Sequence, residues 1–482
     1  MLDTRACQHS RSPVDSKRME IRIPEKFLAH IAPLIGNEME QSEFRKAVLR
    51  PLPKTLRANL NKQSATDWHL MAKELGLVLA PLPFLLSNGY QLESGKDAGK
   101  LLEHRMGFFY LQEAASMIPV EVLSRLCPDA RRILDLCAAP GSKTTQIATR
   151  FPKTTHIVAN EPSASRLSVL VANLLRFGIG NVVCSNQDGC NFGAALPEYF
   201  DAILVDAPCS GEGTIRKDRQ ALRGWNRKRF KKITRVQEQL LESAFASTAP
   251  GGAIVYSTCA LSSEENQDIA LRFIENHADE LEVYDLGQVI PELEKSITPE
   301  GFLWVAPHHY DTGGFFVASF RKAGQRSDAG NEVDGEAGES GNTELSKRLE
   351  DHYGVDLSEI GGSLVHRGST TYLQPSAASS LNERIRLNRP GIKVAETKAG
   401  ETHIHQEFGM VHGAAFKRGF IEVDRDEARH FLYGGVLDYD ASALGDNQIL
   451  MRYRGQPLGF AVWSKDRFTN LLGPSFVQQR VD

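Results

Sequence analysis

The chain contains 482 residues, of which 41% are apolar and 24% are charged, a balance typical of globular domains. At roughly 150 residues per domain, this length predicts about three folded units and excludes a collagen, a coiled-coil rod and a wholly disordered chain. The net charge is −4, and the sequence contains neither an apolar run long enough for a membrane span nor a secretory signal, so we expect a cytoplasmic protein.

The first hundred residues divide into two segments. Residues 1–18 are polar, show no periodic pattern and predict a flexible extension. Residues 19–99 mix apolar and basic sequence, including LRANLNK at 56–62, and predict a small accessory domain.

Residues 100–322 alternate between short apolar runs and amphipathic stretches. The apolar runs are uninterrupted, which indicates strands covered on both faces. They lie at 132–137, 156–160, 202–208, 253–258 and 314–320. One intervening helix is predicted to begin after Ser163, a favourable N-cap, and to end near Gly178. Strands that alternate with helices predict an α/β fold with a doubly wound, Rossmann-like parallel sheet.

The composition changes sharply after this region. Residues 323–345 contain six acidic residues and five glycines and predict an acidic, flexible linker. Residues 346–482 are predicted to form a separate C-terminal unit. Its glycine-punctuated, strand-like segments, such as 448–463, indicate a small β-rich barrel.

Two cysteines at predicted strand ends are the strongest chemical signal. The seven cysteines are scattered and none forms a Cys-x-x-Cys pair, so the sequence predicts neither a disulfide framework nor a metal site of the usual spacing. Cys209 and Cys259 lie in polar turns at the ends of strands, and the carboxyl ends of parallel strands open into one crevice. A thiolate is a strong nucleophile, and Lys143 is a candidate to lower a thiol pKa there.

Polar residues follow three other predicted strands. The turn at 137–143 leads into a helix, whose free backbone N–H groups favour an anion or a polar ligand edge. Its single glycine matches neither the dinucleotide fingerprint nor the phosphate-binding loop. Glu161 is placed to accept hydrogen bonds from ribose hydroxyls, and Asp188 to hold an adenine or another polar edge. Taken singly, each acid fits a helix cap or a solvated loop equally well.

A thiol beside a carboxylate suits methylation of a pyrimidine at carbon 5. That carbon is a poor nucleophile until a thiolate adds to carbon 6. Carbon 5 of the adduct can then attack an activated methyl group, and loss of the carbon-5 proton expels the thiol. Asp206, on the N3 edge of the ring, would stabilise the charge that develops on addition.

Three motifs carry a resemblance to a known family. They are LDLCAAPGSK at 134–143, DAPCSGEG at 206–213 and STCALSSEEN at 257–266. In this order and spacing they resemble the RNA cytosine-5 methyltransferases of the Nop/Sun type, and most closely the bacterial enzymes of small-subunit ribosomal RNA. The resemblance is strong over residues 100–322 and weaker outside them, where 56–62 and 389–397 are recognisable.

The resemblance implies S-adenosylmethionine as the cofactor and 16S ribosomal RNA within the small subunit as the substrate, and we expect a monomer without a metal. It also implies that Cys259 is the nucleophile and that Cys209 assists product release. DNA cytosine-5 methyltransferases instead attack with the Pro-Cys thiol and carry a Glu-Asn-Val motif that this chain lacks. The implied cofactor contacts are Cys137, Ala138, Ala139, Pro140, Gly141, Ser142, Lys143, Glu161, Asp188 and Asp206.

A basic segment favours RNA as the substrate. Residues 215–235 contain ten lysines and arginines and one acid, directly after the Cys209 turn. With Trp225 and Phe230 interleaved, the segment suits phosphate contact and stacking on an extruded base, although it also fits a solvated helix face. The C-terminal unit resembles an RNA-binding barrel of the PUA type. Its candidate contacts, which equally fit ordinary surface charge, are Arg452, Arg454, Lys465 and Arg467.

Two other functions remain open at this point. The same chemistry could act on transfer RNA or DNA, or the chain could be a non-catalytic RNA-binding factor of ribosome assembly. The pair of thiols argues against the second alternative, because a pure binding protein has no need of either.

Overall fold

The computed structural model describes residues 23–86, 88–95, 97–325, 343–375, 378–439, 448–464 and 467–472. The extension predicted at 1–18 and most of the linker predicted at 323–345 lie outside these residues. Within the described ranges, no helix combines the length and the apolar character that crossing a bilayer requires.

The N-terminal region consists of two helices followed by a four-stranded antiparallel sheet. The elements are α1 (Glu25–Ile35), α2 (Glu38–Leu49), β1 (Thr55–Ala58), α3 (Ala65–Glu74), β2 (Val78–Pro81), β3 (Gly89–Ser94), α4 (Leu102–Arg105) and β4 (Phe109–Leu111). The strand order is β2-β3-β1-β4. Helix α2 begins with a capping box, in which Asn37 and Glu40 each accept a hydrogen bond from the other's backbone N–H.

The central region builds most of a nine-stranded sheet. Its elements are α5 (Ile118–Leu126), β5 (Arg132–Asp135), α6 (Ser142–Arg150), β6 (His156–Asn160), α7 (Ala164–Phe177), β7 (Val182–Ser185), α8 (Phe192–Ala195), β8 (Phe200–Asp206), α9 (Phe230–Ser247), β9 (Thr248–Thr258), α10 (Gln267–Asn276), β10 (Leu281–Val283), α11 (Leu286–Val289), β11 (Leu303–Val305), α12 (Pro307–Tyr310) and β12 (Phe315–Lys322). The order is β10-β12-β9-β8-β5-β6-β7, and β11 pairs with β12.

This sheet confirms the predicted doubly wound α/β fold. Strands β7, β6, β5, β8 and β9 are parallel, and β12 runs antiparallel to β9. The strand order reverses between β5 and β8, which is where such sheets bind ligands. Ile133 and Leu134 are adjacent on β5, belong to apolar clusters on opposite faces and are both fully buried. The uninterrupted apolar runs therefore correspond to strands covered on both faces.

The ends of helix α7 are set by residues close together in the chain, so the local sequence pattern was sufficient to predict them. The Ser163 side chain accepts a hydrogen bond from the Arg166 backbone N–H at the first turn, and Gly178 ends the helix with φ +71°. Leu167, Leu170 and Leu174 are buried between these ends. The predicted start, end and apolar face of this helix are confirmed.

The C-terminal region contains two further four-stranded sheets. The elements are α13 (Thr343–Tyr353), α14 (Leu357–Ile360), β13 (Ser363–Arg367), β14 (Thr370–Gln374), α15 (Ala378–Arg384), β15 (Leu387–Arg389), β16 (Ile392–Lys398), β17 (Glu401–Ile404), α16 (Gln406–His412), β18 (Phe420–Glu422), α17 (Arg425–Leu432), β19 (Gln448–Tyr453), β20 (Gln456–Ser464) and β21 (Arg467–Asn470). The sheets have the orders β13-β14-β16-β17 and β18-β19-β20-β21, which confirms the β-rich character of this region.

Part of this region belongs structurally to the central sheet. Strand β15 pairs antiparallel with β7 and becomes the ninth strand. Leu381, Ile385 and Leu387 are buried in the same apolar cluster as Phe192 and Phe200 of the central region. The prediction of a separate unit is therefore wrong for α15 and β15, because their apolar side chains cover an edge of the central sheet.

Candidate active site

Cys209 and Cys259 lie side by side although they are 50 positions apart in the chain. One follows β8 and the other follows β9, and these strands are parallel neighbours whose ends bring the two turns together. The two Sγ atoms are 3.3 Å apart, and both residues are half-buried. The structure thus places both thiols, which the sequence assigns to one crevice, in direct contact.

The two thiols differ in how readily they ionise. A hydrogen bond from Cys209 lowers the pKa of Cys259, and the positive charge of Lys143 acts in the same direction. Burial and the Asp206 carboxylate oppose this effect but do not reverse it. The hydrogen bond to Cys259, together with burial, raises the pKa of Cys209 well above its ordinary value. Cys259 is therefore the thiol favoured as a thiolate, with the Cys209 thiol hydrogen-bonded to it.

Lys143 and Asp206 form an ion pair beside the thiols. Lys143 Nζ lies 2.7 Å from Asp206 Oδ2, and Ser257 Oγ donates to Asp206 Oδ1 at 2.8 Å. Burial lowers the pKa of Lys143, but the Asp206 carboxylate outweighs burial and the net change is upward. The Asp206 side chain is 29% exposed, so a ligand in the crevice can reach it.

Glu212 connects the two cysteine turns, a role that the sequence did not reveal. This residue is completely buried. Its Oε2 accepts hydrogen bonds from the backbone N–H groups of Leu261 and Ser262, at 3.1 and 2.9 Å, in the turn after Cys259. The backbone N–H of Gly213 also donates to the Cys259 carbonyl, at 2.8 Å. A carboxylate between two glycines in the motif at 206–213 was the available signal, because such a turn needs an internal acceptor.

The turn at 137–143 is held from behind by side chains of α7. Arg166 donates to the Ala139 carbonyl at 2.8 Å, and Asn173 donates to the Pro140 carbonyl at 2.9 Å. Gly141 has φ +104°, and a Cβ there would lie 2.9 Å from Leu170. Helix α6 begins directly afterwards without a side-chain cap, so side chains leave its first N–H groups free for a ligand.

Asp135 is a second residue that the sequence did not reveal. It is fully buried at the end of β5, where its Oδ2 accepts a hydrogen bond from Thr144 Oγ1 at 2.7 Å. Its Oδ1 has no hydrogen-bond partner among the described residues. Burial raises its pKa to about 7, and the nearby Asp206 adds to this effect. A buried acceptor without a partner beside the turn fits a site for a polar ligand.

Glu161 and Asp188 both occupy the predicted strand ends, and both also hold local structure. Glu161 is buried, accepts a hydrogen bond from the Ser163 backbone N–H at 2.8 Å and pairs with Arg166 at 3.0 Å. Asp188 is exposed and accepts a hydrogen bond from the Cys190 backbone N–H at 3.0 Å. The helix-cap alternative thus describes part of their role, although each carboxylate oxygen can accept more than one hydrogen bond.

The basic segment at 215–235 separates into a buried part and an exposed part. Arg216 is buried and donates to the carbonyls of Thr312 and Pro51, at 2.9 and 2.8 Å, so it stabilises the fold and does not contact RNA. Phe230 is buried, and Trp225 packs edge-on against Phe27 at 5.5 Å. Phe230 is therefore not exposed for stacking on an extruded base, whereas Trp225 is only half-buried and its stacking on a base stays a prediction.

The other cations of this segment whose side chains the structure describes are all exposed and are here named together the basic surface. It consists of Lys217, Arg219, Arg223, Arg227, Lys228, Lys231, Lys232 and Arg235. Arg227 pairs with Glu264 at 3.1 Å. In the chain, this segment follows the turn that carries Cys209.

The C-terminal candidate contacts have mixed positions. Arg452 pairs with Glu422 at 3.3 Å and its side chain is only 14% exposed, whereas Arg454 pairs with Glu74 of the N-terminal region. Arg467 is exposed. Lys465 lies outside the described residues.

Two family models match the chain. The model described as 16S rRNA methyltransferase RsmB/F matches residues 125–321, and the model described as the N-terminal domain of 16S rRNA methyltransferase RsmF matches residues 23–114. The chain is also 37% identical to ribosomal RNA small subunit methyltransferase F of Aeromonas salmonicida, over 95% of this chain and 97% of that protein. The protein of the same name from Vibrio cholerae is 36% identical, over 95% and 98%.

Solved structures share the fold. A methyltransferase homologue from Pyrococcus horikoshii is 26% identical with a TM-score of 0.50, over 62% of this chain and 100% of that one. NSun6 from the same organism, solved with SFG, is 22% identical with a TM-score of 0.53, over 63% and 99%.

Proposed function

The chain belongs to the ribosomal RNA small subunit methyltransferase F family and is thus an S-adenosylmethionine-dependent methyltransferase of 16S ribosomal RNA, and we propose that it methylates carbon 5 of a cytosine through a covalent bond to Cys259. The observation that carries this proposal is the 3.3 Å contact between Cys259 and Cys209 in the crevice at the strand ends. Methylation of an oxygen or an exocyclic nitrogen needs no thiol, whereas methylation at carbon 5 needs a nucleophile that adds and then leaves.

Cys259 is suited to be the attacking group. Its pKa is lowered by the Cys209 hydrogen bond and by Lys143, so it supplies a thiolate for addition to carbon 6 of the ring. The addition places negative charge on the ring nitrogen N3 and the carbonyl oxygen. Lys143 lies beside the thiols, held there by its ion pair with Asp206, and its ammonium can donate a hydrogen bond or a proton to this negatively charged edge.

Cys209 is suited to assist product release. Bond formation at carbon 6 consumes the Cys259 thiolate, whose hydrogen bond and charge raise the pKa of Cys209. Cys209 then ionises more easily: its proton passes to solvent, and the thiolate that remains accepts the carbon-5 proton after methyl transfer. Loss of that proton restores the ring double bond and expels the Cys259 thiolate, which returns both thiols to their starting states.

The residues around the turn at 137–143 fit S-adenosylmethionine. The free N–H groups at the start of α6, the Asp135 oxygen without a partner and the acids Glu161 and Asp188 together provide donors and acceptors for its amino acid and nucleoside parts. Gly141 lets this turn pack closely against Leu170 of α7. The cofactor supplies a methyl group on a sulfonium, which is electrophilic enough for the activated carbon 5.

RNA contacts are assigned to three parts of the chain. The basic surface follows the Cys209 turn in the chain and is exposed, so it suits the phosphates that flank the target base. The N-terminal region at 19–99 and the C-terminal region at 346–482 are proposed to bind further RNA and to select the site within the small subunit. The target base must leave any helical stack to reach the thiols.

Bisulfite sequencing tests the chemistry and the substrate together. We expect 16S ribosomal RNA from cells with the intact gene to carry one protected cytosine that is unprotected in cells with Cys259→Ala. In vitro, radioactive methyl groups from S-adenosylmethionine should enter 16S ribosomal RNA and appear as 5-methylcytosine after digestion. Label that appears in another modified nucleoside, or only in transfer RNA or DNA, contradicts the proposal.

A further inference from the structure

A cationic cleft lies where the N-terminal region, α7 and the C-terminal region meet, away from the thiols. Its volume is about 210 Å³. Lys62 and Arg105 of the N-terminal region and Arg176 of α7 line it, together with apolar side chains such as Leu175 and Met410. None of the described residues that line the cleft is acidic.

The three cations contact only neutral groups. Lys62 Nζ donates to the Met106 carbonyl at 2.6 Å. Arg176 donates to the His104 carbonyl at 2.5 Å. The Arg105 guanidinium lies 4.9 Å from the centre of the Tyr433 ring. Within the described ranges, none of the three forms an ion pair.

Positive charge gathered without a counter-charge is unfavourable. Burial, reinforced by the neighbouring charge of Arg176, lowers the pKa of Lys62 to about 7. Burial also lowers the pKa of Arg176 to about 10. An anion in the cleft would relieve both effects, because it stabilises the charged forms.

We propose that this cleft binds a phosphate of the RNA backbone. The inference rests on the proposed function, since it assigns to the RNA substrate a contact outside the catalytic crevice. Two arginines and a lysine provide the charge and the hydrogen-bond donors that a phosphate group takes. The apolar part of the lining suits the sugar of the adjoining nucleotide.

The cleft is also linked to the turn at 137–143. Arg176 Nη2 donates to Asn173 Oδ1 at 3.0 Å, and Asn173 donates to the Pro140 carbonyl at 2.9 Å. A phosphate held by Arg176 therefore lies two hydrogen bonds from that turn. For this reason Asn173 and Arg176 are unsuitable for a test of binding alone.

Lys62→Met and Arg105→Gln are the informative variants. The affinity of the full chain for a 16S ribosomal RNA fragment should be measured between about 50 and 200 mM salt. Each variant should weaken binding about fivefold and reduce the slope of log affinity against log salt by about 0.7 to 0.9. Lys73→Gln, an exposed cation on α3 outside the cleft, is the matched control and should keep the slope. If both cleft variants keep the slope of the unmodified protein, the proposal is wrong.

A second measurement separates RNA from a free anion and from misfolding. Thermal unfolding of the variants should occur at a temperature no lower than that of the control, and pyrophosphate at matched ionic strength should stabilise the unmodified protein only weakly. Strong, Lys62-dependent stabilisation by pyrophosphate with unchanged RNA binding would identify a free-anion site and overturn the proposal. Since the readout is binding, it is independent of the methylated position, and an unexpected methylated nucleoside would contradict only the proposed function.

Discussion

At the scale of single residues, the contact between Cys209 and Cys259 predicts opposite phenotypes for two similar substitutions. Cys259→Ala removes the nucleophile, so we expect no methylation and no covalent RNA complex. Cys209→Ala keeps the nucleophile but removes the group that assists release. It should therefore accumulate a covalent adduct, visible as a slowly migrating band on a denaturing gel with labelled RNA.

The double variant is the control for this assignment. Cys209→Ala combined with Cys259→Ala should form no adduct, which shows that the band arises from Cys259. An adduct in Cys259→Ala and none in Cys209→Ala would reverse the two roles and would assign attack to the Pro-Cys thiol.

Lys143 predicts a dependence on pH at the same scale. Its charge helps Cys209 to lower the pKa of Cys259, and it neutralises Asp206. Lys143→Met removes a positive charge and leaves a negative one uncompensated, and both changes disfavour the thiolate. The pKa of Cys259 should therefore rise, and the acid limb of its reactivity should move to higher pH by about one pH unit.

Alkylation measures this change without cofactor or RNA. The rate at which iodoacetamide modifies Cys259 can be followed by peptide mass spectrometry across pH, in the unmodified protein and in each variant. Lys143→Arg keeps the charge and should keep the acid limb close to its original position. An unchanged limb in Lys143→Met would mean that the hydrogen bond from Cys209 accounts for the reactivity without Lys143.

The residues that the sequence identified and those that it missed differ in physical kind. Cys209, Cys259 and Lys143 carry chemistry in the residue type itself, so their position after predicted strands was enough. Asp135 and Glu212 act through burial and through contacts with residues far along the chain. The sequence does not show whether an aspartate or glutamate is buried or solvated, and only the fold distinguishes the two cases.

At the scale of elements, the basic surface predicts unequal contributions from neighbouring cations. Lys228 and Lys231 are exposed, whereas Arg227 already pairs with Glu264 at 3.1 Å. Lys228→Gln with Lys231→Gln should weaken RNA binding and reduce the salt slope by about 1.4 to 1.8, as expected for two phosphate contacts. Arg227→Gln should have a smaller effect, because part of its charge is satisfied within the protein.

The salt slope is the measurement that decides this prediction. The binding of a 16S ribosomal RNA fragment should be compared with that of the Lys73→Gln control. A slope that does not change in the double variant would show that the basic surface is only a solvated face of the protein.

The basic segment at 215–235 shows which structural features a local sequence pattern can predict and which it cannot. Helix α7 follows from its capping residues and the parallel strands from their uninterrupted apolar runs, because both signals are local in the chain. The position of the Trp225 side chain could not be predicted, since its ring packs against Phe27, which is about 200 positions away in the chain. Composition could show that aromatic and basic residues alternate, but not which of them face α1.

At the scale of the whole molecule, long-range pairing joins regions that the composition separates. The shift at 323–345 marks a boundary in sequence, yet β15 returns to pair with β7. A three-residue strand gives almost no periodic signal, so the pairing could not be predicted. The N-terminal sheet and the C-terminal sheet β18-β19-β20-β21 likewise share one apolar cluster, in which Leu56 and Phe109 belong to the first and Ile449 and Tyr453 to the second.

Among the described residues, two ion pairs join the N-terminal region to the C-terminal region. One contains a fully buried carboxylate and the other is exposed, so we expect their loss to change the free energy of unfolding by very different amounts. Glu103 is fully buried, and its two oxygens accept hydrogen bonds from Arg425 at 3.1 and 3.2 Å. Arg425→Leu leaves this carboxylate buried with Tyr453 as its remaining polar neighbour, at 3.3 Å. We therefore expect Arg425→Leu to lower the free energy of unfolding by about 3 kcal/mol, the lower end of the range for a broken buried pair.

The exposed pair of Glu74 and Arg454 is the matched control, because its side chains are 58% and 40% exposed. Glu74→Gln should change stability by less than about 0.5 kcal/mol. Combining Glu103→Leu with Arg425→Leu should recover most of the loss, since an apolar pair leaves no buried charge. Denaturant unfolding followed by tryptophan fluorescence measures all four proteins. If Arg425→Leu is as stable as Glu74→Gln, the Glu103 pair does not stabilise the interface, and the two sheets are held together by their shared apolar cluster.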